Sequence, residues 1–275
     1  MHQMTALKNG IETLYVPVVN RIAESYNAAV AQNDSSLSGN SQFMTTHWSV
    51  VLAAGQQGTA DAQAALAKLC EIYWYPLYSY IRRQNYGIQD AQDLTQEFFF
   101  RFLQKDYLNT VSPDKGRFRA YVLTALKHFL INERGKARAE KRGGDRVFIP
   151  LDLQAAERRL ELVPSQERTP EMLFERDWTL VLLERVRARL KEDYWQKSDT
   201  FERLKDFLAG ETSTDNYAAA ASDLCISVGA VKMAVQRLRG RYRELLKEEI
   251  AQTVKAESEV ADEIRYLFAT LSAKH

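Results

Sequence analysis

The chain has 275 residues, of which 45% are hydrophobic and 27% charged, and its formal net charge at pH 7 is +1. These values are typical of a globular protein with one large or two small domains, and no apolar run approaches the roughly 20 residues of a membrane-spanning helix. The first residues show no basic segment followed by an apolar one, so we predict a cytoplasmic protein without membrane contact. Cys70 and Cys225 match no metal-ligand or redox spacing, which predicts free thiols, no metal and no cofactor.

Positive charge is concentrated in two segments, although the total is nearly balanced. Residues 114–146 contain ten Lys and Arg residues and four acidic residues. Residues 232–247 contain six Lys and Arg residues and one acidic residue. Two separate basic surfaces on a neutral protein indicate binding to a polyanion at two places.

The hydrophobic pattern predicts an all-α fold with two helical domains, because alternating strand patterns are nearly absent and apolar residues recur at helical spacing from Gln63 onward. We predict an N-terminal extension (1–43), a first helical domain (44–150), a linker (151–170), a second helical domain (171–255) and a C-terminal tail (256–275) with one more helix. The linker is assigned because 151–170 contains two prolines and many charges. Residues 33–42 are a polar stretch and Met44 offers an alternative start, so translation of the extension is left open.

The first motif in chain order is GIQDAQDLTQEFFFRFL, which predicts an amphipathic helix. Its apolar face consists of Ala91, Leu94, Phe98 and Phe102, and its acidic face of Asp90, Asp93, Gln96 and Glu97. A divalent metal site is an unfavourable interpretation, because no His or further acidic cluster completes a coordination shell. Two alternatives stay open, an ordinary solvated surface and a docking surface for a basic partner.

The second motif, GRFRAYVLTALKHFLINERGKARAEKRGG, joins a helical half to a basic half. Residues Phe118 to Leu130 carry apolar side chains at helical spacing, and Arg and Lys follow up to two glycines. By itself this pattern is equally typical of a surface helix with a solvated tail.

The third motif, NYAAAASDLCISVGAVKMAVQRLRGRYRELL, predicts two helices joined by a short turn. The second helix has an apolar face (Val231, Val235, Leu238, Tyr242, Leu245) and an opposite face of long polar side chains (Lys232, Gln236, Arg239, Arg243) flanked by Arg237 and Arg241. Ser227 is placed to cap this helix. The pattern favours a DNA-binding helix-turn-helix over a plain amphipathic helix, although Cys225 stands in the turn where Gly is common.

Three segments in this order resemble the conserved regions 2 and 4 of bacterial RNA polymerase sigma factors of the sigma-70 family. They are DAQDLTQEFFFRFL, GRFRAYVLTALKHFLINERGKARAEKRGG and SVGAVKMAVQRLRGRYRELL. The two-domain layout without a region 3 resembles that of the extracytoplasmic-function (ECF) group. The segments TTHWSVVLAA, YWYPLYSYIRR and DEIRYLF resemble a subgroup common in planctomycetes and related bacteria. The resemblance runs from Thr45 to about Leu271.

The resemblance implies a role for each motif. The acidic face matches the surface that binds the coiled coil of the polymerase β′ subunit, and region 4 in this family lies near the β flap. For the minus-ten promoter element the residues are Arg117, Phe118, Tyr121, Lys127, His128, Asn132, Arg134, Lys136, Arg138, Lys141 and Arg142. For the minus-thirty-five element they are Ser227, Lys232, Gln236, Arg237, Arg239 and Arg243. Phe118, Tyr121 and Phe129 would stack on unpaired bases, although aromatic residues at helical spacing are usually core, so we expect at least one to be buried. His128 is as compatible with a packed core residue as with a base contact.

One departure from the family pattern concerns strand opening. Primary sigma factors carry a tryptophan pair where this chain has Thr124 and Ala125, which implies weaker melting and more stringent promoter choice. The resemblance implies a sigma factor and not an enzyme, with core RNA polymerase and promoter DNA as partners; control by an anti-sigma factor stays open. The alternatives are a stand-alone helix-turn-helix regulator and a metal-dependent nuclease using Asp90, Asp93 and Glu97.

Overall fold

The computed structural model describes residues 60–102, 117–136, 152–162, 168–208, 214–254 and 256–272. Regular structure in these ranges is helical and includes no strand, which confirms the predicted all-α fold. The α-helices are α1 (Ala60–Arg82), α2 (Ile88–Phe102), α3 (Phe118–Lys136), α4 (Leu153–Leu162), α5 (Pro170–Asp193), α6 (Ser198–Leu204), α7 (Thr214–Asp223), α8 (Val228–Ala251) and α9 (Val260–Ser272). Short 3-10 helices lie at Trp195–Lys197, Lys205–Leu208 and Glu257–Glu259. The predicted extension, residues 1–43, lies outside the described residues.

Helix starts follow local capping chemistry. The Thr169 hydroxyl accepts a hydrogen bond from the Met172 amide at 3.2 Å, and Pro170, whose fixed φ suits a first helical position, follows it. A carboxylate oxygen of Asp152 accepts from the Ala155 amide at 3.0 Å at the start of α4. These side chains satisfy amide groups that a helix start would otherwise leave unpaired.

The described residues fall into two compact units. The first contains residues up to Val181 together with 251–260, and the second contains Leu182 to Ile250 together with the residues from Ala261 onward. The division falls within α5, whereas the sequence predicts a boundary at 151–170. The assignment of the two blocks to sigma regions stays a prediction.

The core of the first unit is built from aromatic side chains of α1, α2, α3 and α5. Tyr73 and Phe118 meet edge to face with ring centroids 5.6 Å apart, and Phe98 and Phe129 do so at 5.7 Å. Trp178 of α5 is fully buried beside Tyr73. Burial of these large rings contributes hydrophobic stabilisation to this core.

The predicted linker contains helix α4. Both prolines of that segment, Pro164 and Pro170, follow the helix and leave the good helix formers of Leu153–Leu162 uninterrupted. Glu157 anchors α4 to α1, because its carboxylate accepts hydrogen bonds from Tyr78 at 2.7 Å and from Arg82 at 2.8 Å. The charged residues of this segment thus include one that pairs α4 with α1.

The second unit is organised around α8. Its predicted apolar face is confirmed, since Val231, Val235, Leu238, Tyr242 and Leu245 are all buried. The tail helix predicted from EVADEIRYLF is confirmed as α9.

A buried carboxylate links α5 and α8 in the same unit. Glu249 accepts a hydrogen bond from Arg189 at 2.8 Å and lies 3.6 Å from Arg185. Pairing of this kind is what makes a buried carboxylate tolerable.

Both cysteines are free thiols, as predicted. Burial, followed by the neighbouring Glu71 carboxylate, raises the pKa of the Cys70 thiol to about 11. Cys70 is therefore protonated, and a poor nucleophile, at neutral pH.

No single helix within the described ranges has both the length and the apolar composition needed to cross a membrane. Helices α7 and α8 reach these criteria only when counted together, and they are bent by 100° at the break between them.

Candidate nucleic-acid interface

The acidic face of α2 is partly exposed, and one of its carboxylates is ion-paired within the helix. Asp90 is exposed, and Asp93 and Glu97 are half-buried. Glu97 forms an ion pair with Arg101 one turn later at 2.5 Å. Gln96 is only 9% exposed and contributes little to this surface, so its assignment to docking stays a prediction with less support than the other three. The acidic surface therefore consists of Asp90, Asp93 and Glu97.

The inner face of α3 belongs to the core. Phe118 and Phe129 are each 1% exposed, which confirms the expectation that at least one of the three aromatic residues is buried. Their burial removes both rings from the candidate base-stacking surface, because a stacked base needs an open ring face. Tyr121 is half-buried and stays a candidate.

A buried arginine on α3 also has a structural role. Arg119 is 1% exposed, its Nε donates to Glu175 at 2.5 Å, and its guanidinium lies 4.7 Å from the ring centroid of Trp178. This residue is part of the basic segment counted from the sequence but does not contribute to a surface. The count therefore overstated the exposed charge.

The outer face of α3 carries an exposed polar stripe. Thr124, His128 and Asn132 are exposed at four-residue spacing, which places them on one side of the helix. His128 is thus at the surface and not a packed core residue. Ile131, 65% exposed, adds an apolar side chain beside the stripe. Ala125, the second position of the tryptophan pair in primary sigma factors, is buried.

Lys127 lies at the edge of this stripe and is ion-paired. Its Nζ is 2.6 Å from Oε1 of Glu171 on α5, and the Tyr80 hydroxyl donates to the same carboxylate at 3.3 Å. The hydrogen bond from Lys127 is the main reason that the pKa of Glu171 is lowered from its ordinary value. Burial, then Glu171, raises the pKa of Tyr80 to about 12.

The end of α3 presents a cation over an aromatic ring. Arg134 is exposed, its Nε donates to the Tyr86 hydroxyl at 2.9 Å, and its guanidinium lies 5.5 Å from the Tyr86 ring centroid. The side chain of Lys136 and all of Arg138, Lys141 and Arg142 lie outside the described residues. Their assignments, with that of half-buried Arg117, stay predictions.

Helices α7 and α8 are joined by a short turn. They are bent by 100° at the four-residue break between Asp223 and Val228, an angle compatible with the predicted helix-turn-helix. The turn is closed by the Ile226 amide, which donates to the Ala221 carbonyl at 3.0 Å. Cys225 has φ 51°, so it occupies the left-handed conformation that usually favours Gly. The turn is therefore mildly strained at Cys225.

The start of α8 is capped as predicted. The Ser227 hydroxyl accepts a hydrogen bond from the Ala230 amide at 3.2 Å, so Ser227 serves the helix itself. Lys232, Gln236 and Arg237 are exposed on the side opposite the core. Lys232 also lies 5.7 Å from the ring centroid of Tyr217 on α7.

Two arginines of α8 are already bound within the second unit. Arg239 donates through Nε at 3.0 Å and Nη2 at 2.6 Å to the Phe207 carbonyl, which favours a structural role over the predicted phosphate contact. Arg241 donates to Asp193 at 2.7 Å and contacts Glu248 at 3.5 Å. Arg243 is half-buried and stays a candidate for phosphate contact.

Sequence reasoning missed four residues at these surfaces: Tyr86, Ile131, Glu171 and Met233. Three of the four neighbours of Ile131 at three and four residues are polar (Lys127, His128, Arg134), and both C-terminal neighbours of Met233 are polar (Gln236, Arg237), which was a usable signal. Tyr86 and Glu171 are recognised only from their partners, which lie 48 and 44 residues away along the chain.

Among the described residues, no group of three or more His, Cys, Asp or Glu side chains is arranged to hold a metal ion. The carboxylates of Asp93 and Glu97 have partners that belong to α2 itself, Gln89 and Arg101 respectively.

Comparison with known protein families gives one match, and the matched residues include the polar stripe of α3. Residues 73–140 match the family model of Sigma-70 region 2. The match covers about a quarter of the chain and includes α2, α3 and the C-terminal part of α1. It supports a relationship to the sigma-70 family sigma factors, which bind core RNA polymerase and promoter DNA. Comparison with curated proteins found no match, and comparison with solved structures found none either.

Proposed function

We propose that this chain is a sigma factor of the ECF group, resembling the subgroup common in planctomycetes. It binds core RNA polymerase through α2, opens the minus-ten element with α3 and the basic segment after it, and reads the minus-thirty-five element with α8. The observation that carries the proposal is the Sigma-70 region 2 match, because its residues include both the acidic surface and the polar stripe.

The polar stripe supports contact with unpaired DNA. Exposed His128 and Asn132 offer hydrogen-bonding groups to base edges, and half-buried Tyr121 lies one turn before Thr124 on the same helix. Arg134, held over Tyr86, presents a cation at the far end of the stripe. Hydrogen bonding and stacking are the interactions by which proteins read bases outside the duplex.

The acidic surface of α2 supports polymerase docking. Asp90, Asp93 and Glu97 lie within two turns, and no Lys or Arg follows on α2 until Arg101. Charge complementarity of this kind sets the association rate and partner choice. The expected partner is the basic coiled coil of the β′ subunit, and region 4 would lie at the β flap.

Strand opening is expected to be weak. Thr124 is exposed but small and donates its hydroxyl to the Ala120 carbonyl at 2.9 Å, and Ala125 is buried. Neither side chain is able to wedge a base step apart as a large apolar side chain does. Promoter choice should therefore be stringent.

A stand-alone helix-turn-helix regulator is the second candidate, because the 100° bend and the four-residue break between α7 and α8 are compatible with a duplex-binding motif. It gives no purpose to the acidic surface or to the polar stripe. A metal-dependent nuclease is disfavoured by the chemistry of α2, where three carboxylates stand without a His or a second acidic cluster.

The decisive experiment is retention of purified bacterial core RNA polymerase by the immobilised full chain. Wild type should retain core enzyme, and Asp93→Ala and Glu97→Lys should lose it. Since Glu97 pairs with Arg101, each variant is first shown to melt cooperatively at the wild-type temperature. Glu192→Lys is the matched control, because it makes the same charge change at an exposed position of the second unit.

Either of two results would contradict the docking assignment. One is wild-type retention by both folded α2 variants, and the other is equal loss in the Glu192→Lys control. If the folded wild type retains no core enzyme, selective binding of duplex DNA by the chain alone would support the regulator instead.

A further inference from the structure

Three apolar side chains are exposed at the turn and the first two turns of α8. Ile226 is 42% exposed, Val228 37% and Met233 57%. The core of the second unit is formed by the opposite face of the helix, so these side chains lie outside that core. Their grouping at the start of one helix makes them candidates for contact with a partner.

The apolar side chains are interleaved with long polar ones. Val228, Lys232 and Gln236 follow one another at four-residue spacing, and Met233 and Arg237 form the adjacent row. No Asp or Glu occurs between Asp223 and Glu244. An apolar surface framed by cations and free of acidic residues fits an anionic partner better than another protein surface.

The small residues at the helix start permit close approach by that partner. Gly229 and Ala230 are exposed, and a side chain added at Gly229 would meet only the Ser227 hydroxyl, at 3.9 Å. A helix of this form enters the major groove with its first turns nearest the base edges. Met233 and Val228 would then lie at the same depth as Lys232.

The base edges in the major groove offer one apolar group, the C5-methyl of thymine. We infer that Met233, with Val228 beside it, reads thymine methyl groups in the minus-thirty-five element, while Lys232 and Gln236 read neighbouring hydrogen-bonding groups. This inference rests on the proposed function and adds the chemical feature that α8 selects. It assigns to Met233 a specificity role that the cationic pattern alone does not give.

Deoxyuridine tests this inference directly, because it differs from thymidine only by the C5-methyl group. The full chain with core RNA polymerase selects its preferred element from a random duplex library. Each thymine of that element, on either strand, is then replaced singly by deoxyuridine, and the dissociation constants are measured. Wild type should bind about fourfold more weakly at one or more positions, the effect of exposing one methyl-sized group.

Variants of Met233 locate the methyl contact. Met233→Ala should bind the thymine and deoxyuridine duplexes equally at that position, Met233→Gln should do the same, and Met233→Leu should retain the wild-type ratio. Met172→Ala is the matched control, since Met172 is also an exposed methionine but lies on α5 in the first unit. It should leave every ratio unchanged.

The outcomes separate the inference from the proposed function. Sequence-selective binding with no deoxyuridine effect, with the same ratio in wild type and Met233→Ala, or with an element that lacks thymine overturns the methyl contact and leaves the sigma assignment intact. Absence of any sequence-selective binding overturns both.

Discussion

The ammonium of Lys127 lies 2.6 Å from the carboxylate of Glu171, and this ion pair joins α3 to α5 within the first unit. Both side chains are partly exposed, and Lys127 stands at the edge of the polar stripe that the proposed function assigns to minus-ten DNA. In the proposed function, the Glu171 carboxylate therefore competes with a DNA phosphate for the Lys127 ammonium. A pair at the surface is weak enough to be exchanged for such a phosphate.

Glu171→Gln should therefore tighten binding of a single-stranded minus-ten oligonucleotide to the complex of the chain with core polymerase. The expected gain is up to about fivefold at low salt, the magnitude of a surface ion pair, and it should vanish in high salt. Fluorescence anisotropy at two ionic strengths measures the change. Glu192→Gln is the control for altered net charge, and an unchanged affinity at low salt would mean that Lys127 does not meet the DNA.

Arg239 and Arg243 should behave differently although both lie on α8. Arg239→Ala leaves the Phe207 carbonyl without its donor and should lower the free energy of unfolding by about 1–3 kcal/mol. Arg243→Ala should leave stability unchanged and reduce the slope of log affinity against log salt by about one. Thermal melting and a salt titration of promoter binding separate the two roles. A reduced slope for Arg239→Ala would restore its assignment as a phosphate contact.

Lys232 and Gln236 should contribute to sequence choice. Replacing either by Ala should cost about 1–3 kcal/mol at one position of the minus-thirty-five element and little elsewhere. The measurement is the affinity of each variant for a set of single-base substitutions of the selected element. An equal loss for all sequences would show that these side chains contact the backbone and that the base-reading face is assigned incorrectly.

The buried carboxylate of Asp177 should be a sensitive site for stability in the first unit. It accepts hydrogen bonds from the Ser79 hydroxyl and from Arg83, both at 2.6 Å, and is fully buried. Asp177→Asn leaves the Arg83 guanidinium buried without its countercharge, which costs about 3–5 kcal/mol. Urea unfolding checks this, with the exposed Asp199→Asn expected within about 0.5 kcal/mol of wild type.

The free energy of unfolding should decrease as pH falls, in part because Glu157 becomes protonated. Hydrogen bonding by Arg82 lowers the pKa of this carboxyl below its ordinary 4.5. A group whose pKa is lower in the folded state stabilises the fold above its unfolded pKa, and that contribution is lost as pH falls through the folded pKa. Glu157→Gln should thus lose about 1–2 kcal/mol at pH 7 and show a shallower decline below pH 4.5. Urea unfolding at pH 7, 5 and 3.5 provides the comparison, and parallel declines would contradict it.

Local sequence signals predicted the elements that depend on local chemistry. Helical periodicity gave the fold class and the apolar face of α8, because side chains three and four residues apart lie together whatever surrounds the helix. Ser227 was recognisable as a cap since its partner is three residues away. The region 2 motif was recognisable for the same reason, as order and spacing along the chain define it.

Tertiary structure alone decided which side chains are at the surface. Periodicity places Phe118 on a face but does not say whether Tyr73 covers that face, and a count of basic residues does not show that Arg119 is buried against Glu175. The partners of Arg239 and Lys127 lie 32 and 44 residues away, beyond the range of any local pattern. The sequence gives the number of basic residues, and the fold decides which are buried in ion pairs and which are exposed. The reason is that a buried charge needs a partner and an exposed one does not.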